Sequence, residues 1–164
     1  MAVAACVMAV SLGSGTASGQ AAPPAGPANQ LVLTAQTAWV ASASNGDFHM
    51  GLSITAADPG NTRLEVIVHE RLTSRSDFNE SLAGRIHTSP RHFFPATVLT
   101  SLQPDLSGTY GVDVPVNASA SASGGDSLFV STPGVYPVEV TLIDRNGRTL
   151  TQLVTHLLLS LIHI

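Results

Sequence analysis

Apolar and polar residues alternate along several short stretches of this chain. The clearest of them keep an apolar residue at every second position and span residues 48–54, 64–68, 110–116 and 136–142. Such alternation places successive side chains on opposite faces of a β-strand, so that one face is buried and the other meets solvent. Because the pattern recurs along the chain, it predicts an antiparallel protein of two packed layers.

Further apolar runs complete the set of predicted strands. Residues 31–33 and 37–40 predict a broken first strand, residues 96–102 another strand, and residues 150–158 the last. The total of about seven strands predicts an all-β protein, an immunoglobulin-like antiparallel β-sandwich.

Turn residues separate the predicted strands. Asp-Pro-Gly-Asn occupies residues 58–61, and residues 144–148 contain Asn-Gly, a strong hairpin signal. Residues 119–126 are rich in Ser and Gly and predict a flexible loop.

One segment breaks the alternation and predicts one short helix. Residues 74–82 begin with Ser74 as an N-cap, place Phe78 and Leu82 four positions apart, and are followed by Gly84 as a stop signal. We expect this helix to cover an open end of the sandwich, as a lid over the core in preference to a binding helix.

The first 30 residues differ in composition from the rest. Residues 1–22 place an apolar stretch before small residues, as a secretory signal peptide does, although its basic N-terminal region is missing. The alternative is a disordered leader rich in Ala and Gly. Residues 23–30 predict a Pro/Ala/Gly linker. We therefore expect a secreted protein with its sandwich domain at residues 31–158.

Cys6 is the only cysteine. The residues before it faintly resemble a lipoprotein lipobox, but only five of them precede it, too few for the apolar region that a lipobox requires. Cys6 is therefore interpreted as part of the signal peptide. The secreted domain would then carry no cysteine, which excludes disulfides, zinc thiolates and cysteine nucleophiles there.

The last six residues, 159–164, read LSLIHI. They match the in-frame translation of a transposon end that is ligated to fragmented DNA, so we expect an artificial extension outside the fold. The alternative is the start of a membrane helix over residues 153–164, but a span requires about 20 apolar residues. On the first interpretation the chain is a fragment of a longer protein, and deleting residues 159–164 leaves its melting temperature nearly unchanged.

Charged residues are sparse. They make up 11% of the chain, the formal net charge is -4, and every basic residue is Arg. No basic cluster indicates binding to nucleic acid or to anionic lipid. Four of the seven arginines lie within residues 71–91, together with Asp77 and Glu80. We interpret this segment as a solvated helix with its flanks; a face that meets another domain is the alternative.

Residues able to carry chemistry are dispersed. No pair of histidines has the i, i+4 spacing of a zinc-binding helix, and a closed metal site needs four converging ligands. His49 and His69 are expected on the outer faces of strands in different sheets, while His87 and His92 flank a loop that has no carboxylate near it in sequence. The remaining histidines are His156 and His163.

Motifs of catalysis and cofactor binding are also missing from the sequence. Nothing marks two carboxylates as a glycosidase pair, and there is no nucleophile elbow, phosphate loop or dinucleotide fingerprint. We therefore predict a protein that is not an enzyme, with no catalytic, cofactor-binding or metal-binding residues and no cofactor.

Two aromatic residues receive structural predictions. Tyr136 stands near the start of the penultimate strand, where sandwiches of this type place a tyrosine whose hydroxyl bonds nearby backbone. Trp39 is the sole tryptophan and is interpreted as a core or edge anchor. A sugar-stacking platform is the alternative for Trp39.

Residues 37–84 and 134–155 together resemble a family of uncharacterised actinobacterial envelope proteins. The most specific matching segments are ERLTSRSDF at residues 70–78 and GVYPVEVTL at residues 134–142. Members of that family are long secreted proteins with a signal peptide, extracytoplasmic domains and a transmembrane segment near the C-terminus, commonly encoded beside the lipid II flippase. The resemblance implies that this chain is the N-terminal β domain of such a protein and transfers no catalytic residues to it.

Two hypotheses for function follow. The first is a non-catalytic extracytoplasmic binding or scaffold domain of a membrane-anchored cell-envelope protein, linked to cell-wall biogenesis. Its partners would be other domains of the parent or other envelope proteins, and this fragment would have no membrane span. The second is an accessory or carbohydrate-binding module of a secreted glycan-active enzyme. Trp39 grouped with carboxylates around one cleft would favour the second hypothesis.

Overall fold

The computed structural model describes residues 29–41, 46–117, 128–129 and 132–160. In chain order these residues form nine strands, one α-helix and one 3₁₀ turn. The elements are β1 (Gln30–Gln36), β2 (Val40–Ala41), β3 (Gly46–Thr55), β4 (Arg63–His69), α1 (Arg75–Leu82), β5 (Pro90–Val98), the 3₁₀ turn (Leu99–Ser101), β6 (Thr109–Asn117), β7 (Leu128–Phe129), β8 (Gly134–Ile143) and β9 (Thr149–Ser160). No helix among the described residues is long and apolar enough to cross a membrane.

The strands form two sheets. A four-stranded sheet has the order β1-β3-β6-β7, and a five-stranded sheet has the order β2-β9-β8-β4-β5. The seven longer strands pair antiparallel, while the two-residue strands β2 and β7 pair parallel with β9 and β6. In immunoglobulin lettering, β1, β3 and β6 correspond to strands A, B and E, and β4, β8 and β9 to strands C, F and G. The prediction of an immunoglobulin-like β-sandwich with one short helix is confirmed.

The core lies between the two sheets and is built from one face of each strand. The alternating residues that the sequence pattern marks as apolar in β3, β4, β6 and β8 point inward, as period-two strands require. The buried apolar side chains are Leu31, Val40, Phe48, Met50, Leu52, Leu64, Val66, Val68, Leu99, Val114, Val116, Tyr136, Val138, Val140, Leu142, Leu157 and Leu159.

The strand expected at residues 96–102 is wrong in its position. β5 runs from Pro90 to Val98, and the chain then forms a 3₁₀ turn over Leu99–Ser101. β5 contains Pro90 and Pro95. Proline cannot donate a backbone hydrogen bond, so both residues argue against a strand when the sequence is considered alone. The structure tolerates both because β5 lies at the edge of its sheet.

The boundaries of the sandwich also differ from the expected ones. Gln30, expected to end the linker, is the first residue of β1. β9 continues to Ser160, and Leu159 pairs with Gly134 and is only 2% exposed. The expectation that residues 159–164 lie outside the fold is therefore wrong for Leu159 and Ser160, because both continue the ladder with β2 and Leu159 fills part of the core. The predicted signal peptide, residues 161–164 and the loop at 119–126 lie outside the described residues.

The local signals for helix and turn are confirmed. Ser74 caps α1 through its side-chain oxygen, which accepts a hydrogen bond from the Asp77 N–H, and Gly84 follows with a φ of 78°. Gly147 adopts the same left-handed conformation in the β8–β9 hairpin, which Gly reaches without the steric cost that other residues meet.

Candidate functional site

The outer face of the five-stranded sheet carries a half-hidden pair of ionisable side chains. His69 ends β4 at a β-bulge, and its Nε2 lies 2.9 Å from Oε2 of Glu139 on β8. The His69 side chain is 7% exposed and that of Glu139 is 21% exposed. The ladder between β4 and β8 ends at the Val68–Val138 pair, because Pro137 follows and has no N–H to donate.

Both ring nitrogens of His69 face acceptors. Nδ1 lies 3.0 Å from the carbonyl oxygen of Thr88, and Nε2 faces the Glu139 carboxyl group. A carbonyl oxygen only accepts, so Nδ1 carries a proton, and the hydrogen bond to Glu139 then needs a second proton on Nε2 or on the carboxyl group. His69 is thus hydrogen-bonded through both ring nitrogens and joins the β4–β5 connection to β8, so its role is structural.

A second histidine on this face holds the helix. His156 of β9 points outward, and its Nε2 lies 2.8 Å from Oγ of Ser81 in α1. The Ser81 hydroxyl donates to the Phe78 carbonyl oxygen, so it accepts from His156. The Phe78 ring packs on the imidazole with centroids 5.5 Å apart. Burial lowers the pKa of His156. Ser81 is 1% exposed and its proton is already donated, so this pair anchors the helix and offers no accessible nucleophile.

These contacts place α1 differently from the expectation. Its described contacts are with the outer face of β9, not with an open end of the sandwich, so the lid interpretation is wrong. Phe78 and Leu82, the apolar pair of the helix, are 36% and 62% exposed. Ser81 is the buried residue of the helix. The helix is therefore anchored through the polar Ser81–His156 contact as well as through the Phe78 ring.

Four exposed apolar side chains belong to α1, to β9 or to the residue before β2, and we call Trp39, Phe78, Leu82 and Leu158 the apolar patch. The parallel β2–β9 ladder begins at the Val40–Leu159 pair, and Trp39 and Leu158 are the residues immediately before that pair. Trp39 is 42% exposed and Leu158 is 41% exposed. Phe78 reaches the patch through its contact with His156, which shares the outward side of β9 with Leu158.

The other histidines lie apart from these groups. His49 pairs with Asp113 across β3 and β6 on the outer face of the four-stranded sheet, with Nδ1 and Oδ1 2.7 Å apart. His49 and His69 therefore lie on different sheets, as predicted. His87 lies 3.8 Å from Glu80, and His92 packs edge-on against Phe94. Among the described residues, no three His, Cys, Asp or Glu side chains group as metal ligands do. His163 lies outside those residues.

Arginines from the segment of residues 71–91 form exposed ion pairs. Nε of Arg85 lies 2.5 Å from Oε2 of Glu80, and Nη1 of Arg91 lies 3.0 Å from Oε2 of Glu70. The Arg85 guanidinium lowers the pKa of Glu80. Exposed pairs of this kind contribute little to stability, which agrees with a solvated helix and its flanks.

Two of the surface clefts formed by the described residues have the volume of a ligand-binding site. The first, of about 410 Å³, lies between β5 of one sheet and β6 of the other and is lined mainly by apolar side chains, among them Val66 and Phe94. The second, of about 440 Å³, lies by the β8–β9 hairpin and contains Asp58 and Asp144. Both carboxylates already accept hydrogen bonds from their own turns, and the Arg148 backbone N–H lowers the pKa of Asp144. Trp39 lines neither cleft.

Several of these features carry no signal in the sequence. His69 and Glu139 are 70 residues apart, and Ser81 and His156 are 75 apart. Only the pairing of β4 with β8, and the position of α1 on β9, bring them together. The outward parity of His69 could be predicted, but its partner could not.

The fold and this site define an immunoglobulin-like β-sandwich domain with a helix anchored on the outer face of its five-stranded sheet. Among solved structures, the chain is similar to the crystal structure of the PmoD soluble domain from Methylocystis sp. ATCC 49242 (Rockwell), with 14% identity and a TM-score of 0.34. The alignment covers 71% of this chain and 75% of that one. No family model matches the sequence, and no curated protein matches it.

Proposed function

We propose that this chain is a non-catalytic extracytoplasmic binding or scaffold domain of a membrane-anchored cell-envelope protein, linked to cell-wall biogenesis. Its partner is another domain of the parent protein or another envelope protein. The observation that supports this function best is the apolar patch on the outer face of the five-stranded sheet. The predicted signal peptide and the resemblance to actinobacterial envelope proteins support the location.

The patch has the composition of a recognition surface. Aromatic residues are enriched in protein interfaces, and a contiguous exposed apolar surface on a protein marks a contact site. Trp39 and Phe78 supply two aromatic rings, and the side chain of Leu82 in α1 is more than half exposed. Leu158 lies in β9, and Phe78 lies in the helix that His156 anchors, so that binding costs little ordering of these two side chains.

The hydrogen bonds of the polar side chains support a binding role over a catalytic one. His69 bonds Thr88 and Glu139, and His156 bonds Ser81. Each of these imidazoles joins two parts of the fold, which is a structural role. The apolar patch therefore supports a contact with a partner better than His69 or His156 supports catalysis.

Binding to an isolated actinobacterial envelope fraction tests the proposal. We expect the purified chain to sediment with the fraction, and the double substitution Trp39→Ser and Leu158→Ser to lower the bound fraction by about tenfold, as loss of a central interface anchor does. The matched control is Val32→Ser, because Val32 is 43% exposed on β1 of the other sheet.

Circular dichroism confirms that each variant is folded before the comparison. Equal retention of the patch variant and of Val32→Ser would contradict the proposal, and so would the absence of any saturable retention of the unmodified chain.

A further inference from the structure

The chain between β4 and β5 is tied to the five-stranded sheet near both of its ends. The N–H of Leu72 donates to the carbonyl oxygen of Val135 in β8, and Nδ1 of His69 donates to the carbonyl oxygen of Thr88. Residues 73–87, which lie between these two bonds and include α1, are called the strap. The strap is therefore held at both ends, independently of the contacts that its helix makes.

The middle of the strap is docked on the sheet through one imidazole. Nε2 of His156 donates to Oγ of Ser81, and the Phe78 ring packs on the same imidazole. No side chain of the strap belongs to the buried core or to the apolar residues packed against that core. The core of the sandwich therefore does not depend on whether the strap is docked.

Docking of the strap limits the access of water to the imidazole. In the docked state Nε2 of His156 carries the proton that is donated to Ser81, and Nδ1 has no acceptor among the described residues. A second proton, on Nδ1, would place a charge in a partly buried position, and for this reason burial lowers the pKa of His156. Protonation therefore favours a released strap, in which water reaches both ring nitrogens.

No charged neighbour offsets this cost among the described residues. Pro137 lies opposite His156 in the β8–β9 ladder, and the next outward residue of β8 is Glu139, whose carboxyl group faces His69. The ionisable residues of the strap are Arg75, Asp77, Glu80, Arg85 and His87. None of them forms a hydrogen bond or an ion pair with His156, and β9 has no other ionisable side chain.

We propose that the strap is released from the sheet in acid and thereby controls the apolar patch. At neutral pH His156 is uncharged and holds the strap on the sheet, whereas in acid the imidazole is protonated and the strap leaves it. Phe78 and Leu82 of the apolar patch belong to the strap. Trp39 and Leu158 do not, so release divides the patch and weakens its contact with a partner. The effect on the partner rests on the proposed function, but the release itself does not.

Amide hydrogen exchange of the full chain, followed by NMR at pH 7.5 and pH 5.5, tests the release. A helix of eight residues is not stable alone in water. The amides of Ala83, Gly84 and Arg85, which bond carbonyl oxygens of α1, therefore lose protection when the strap leaves the sheet. Relative to the intrinsic exchange rate at each pH, we expect this protection to fall by up to about tenfold, because a free imidazole with a pKa of about 6.5 is about 90% protonated at pH 5.5. The Val138 and Val140 amides of β8 should be more strongly protected at both pH values.

Two variants separate His156 from the other ionisable groups. His156→Gln keeps a donor for Ser81 but does not titrate, so the pH dependence of protection in α1 should disappear. His87→Gln is the control, because His87 lies in the strap beside Glu80 and should leave that dependence unchanged. Equal protection of α1 at the two pH values would overturn the inference, and so would a pH dependence that persists in His156→Gln. Equal protection of α1 and β8 would overturn it too, because the strap would then leave the sheet only when the whole domain unfolds.

Sedimentation with the envelope fraction at the same two pH values tests the control of the patch. One net hydrogen bond favours docking by up to about tenfold, so the strap is about half released at pH 5.5, and the affinity of the unmodified chain should fall about twofold. The affinity of His156→Gln should not change by this amount. Equal affinities of the unmodified chain at both pH values would contradict control of the patch. The exchange experiment needs no partner, so its failure is distinguishable from failure of the proposed function.

Discussion

At the scale of single residues, Tyr136 shows how a local signal and the fold agree. The side chain is 1% exposed, and its hydroxyl donates to the Thr132 carbonyl oxygen at 2.5 Å, as the sequence position predicted. Burial raises the pKa of Tyr136, so the hydroxyl remains a donor at any physiological pH. The bond ties the entry of β8 to its first core residue, which fixes where the strand begins.

Replacing Tyr136 by Phe therefore destabilises the domain. The ring still fills the core, but the hydrogen bond from the buried Tyr136 side chain to the Thr132 carbonyl oxygen is lost, and we expect the free energy of unfolding to fall by about 1 kcal/mol. Urea denaturation followed by fluorescence or circular dichroism measures this change. Tyr110→Phe is the control, because Tyr110 is only half-buried and its hydroxyl forms no hydrogen bond with the described residues. A cost for Tyr110→Phe equal to that for Tyr136→Phe would contradict the role of the bond.

At the scale of elements, the docking of α1 depends on one imidazole. His156 donates to Ser81 and packs against Phe78, and burial lowers the pKa of His156. The folded state therefore binds a proton less readily at this position than the unfolded chain, whose histidines have a pKa of about 6.5. Stability is fully present above that pH and is lost as the pH falls below it, because protons then favour the unfolded state.

The substitution His156→Gln tests this linkage. We expect the free energy of unfolding of the unmodified chain to fall between pH 7.5 and pH 5.5 and the slope to be shallower in the variant. Denaturant titrations across that range give both slopes. At pH 8 the two proteins should differ by only about 1 kcal/mol, the contribution of one hydrogen bond, which controls for damage to the fold. Identical slopes would show that His156 does not carry the pH dependence.

The same scale explains what the sequence could and could not predict. Strands with strict alternation, such as β3 and β6, were predicted because one side of each faces the core and the other is mostly exposed. β5 was misplaced because Pro90 and Pro95 are tolerated only at an edge, and edge position is a property of the finished sheet. α1 was recognised from Ser74, but its position on the sheet depends on a contact with the distant His156. The C-terminal end of β9 could not be predicted either, because it pairs with β2.

At the scale of the whole molecule, the two sides of the sandwich end in different arrangements of strands. One side of the five-stranded sheet ends in the short parallel pairing of β2 with β9, which brings Val40 and Leu159 into the core. The other side ends in β5, and the apolar cleft lies between β5 and β6. Natural sheets blunt exposed edges to prevent unwanted pairing, and Pro90 and Pro95 have this effect on β5.

The closure at β2 and β9 gives a test of where the folded domain ends. Leu159 is 2% exposed between β2 and β8, so Leu159→Ala should lower the free energy of unfolding by about 2–4 kcal/mol through lost burial and the cavity left behind. Leu158→Ala removes the same atoms from a side chain that is 41% exposed on the outer face, and we expect a change below about 1 kcal/mol. Thermal and urea unfolding measure both variants. Equal and small changes would show that Leu159 lies outside the folded domain. The expected difference would show that Leu159 is the last inward-facing residue of β9 and is part of the core.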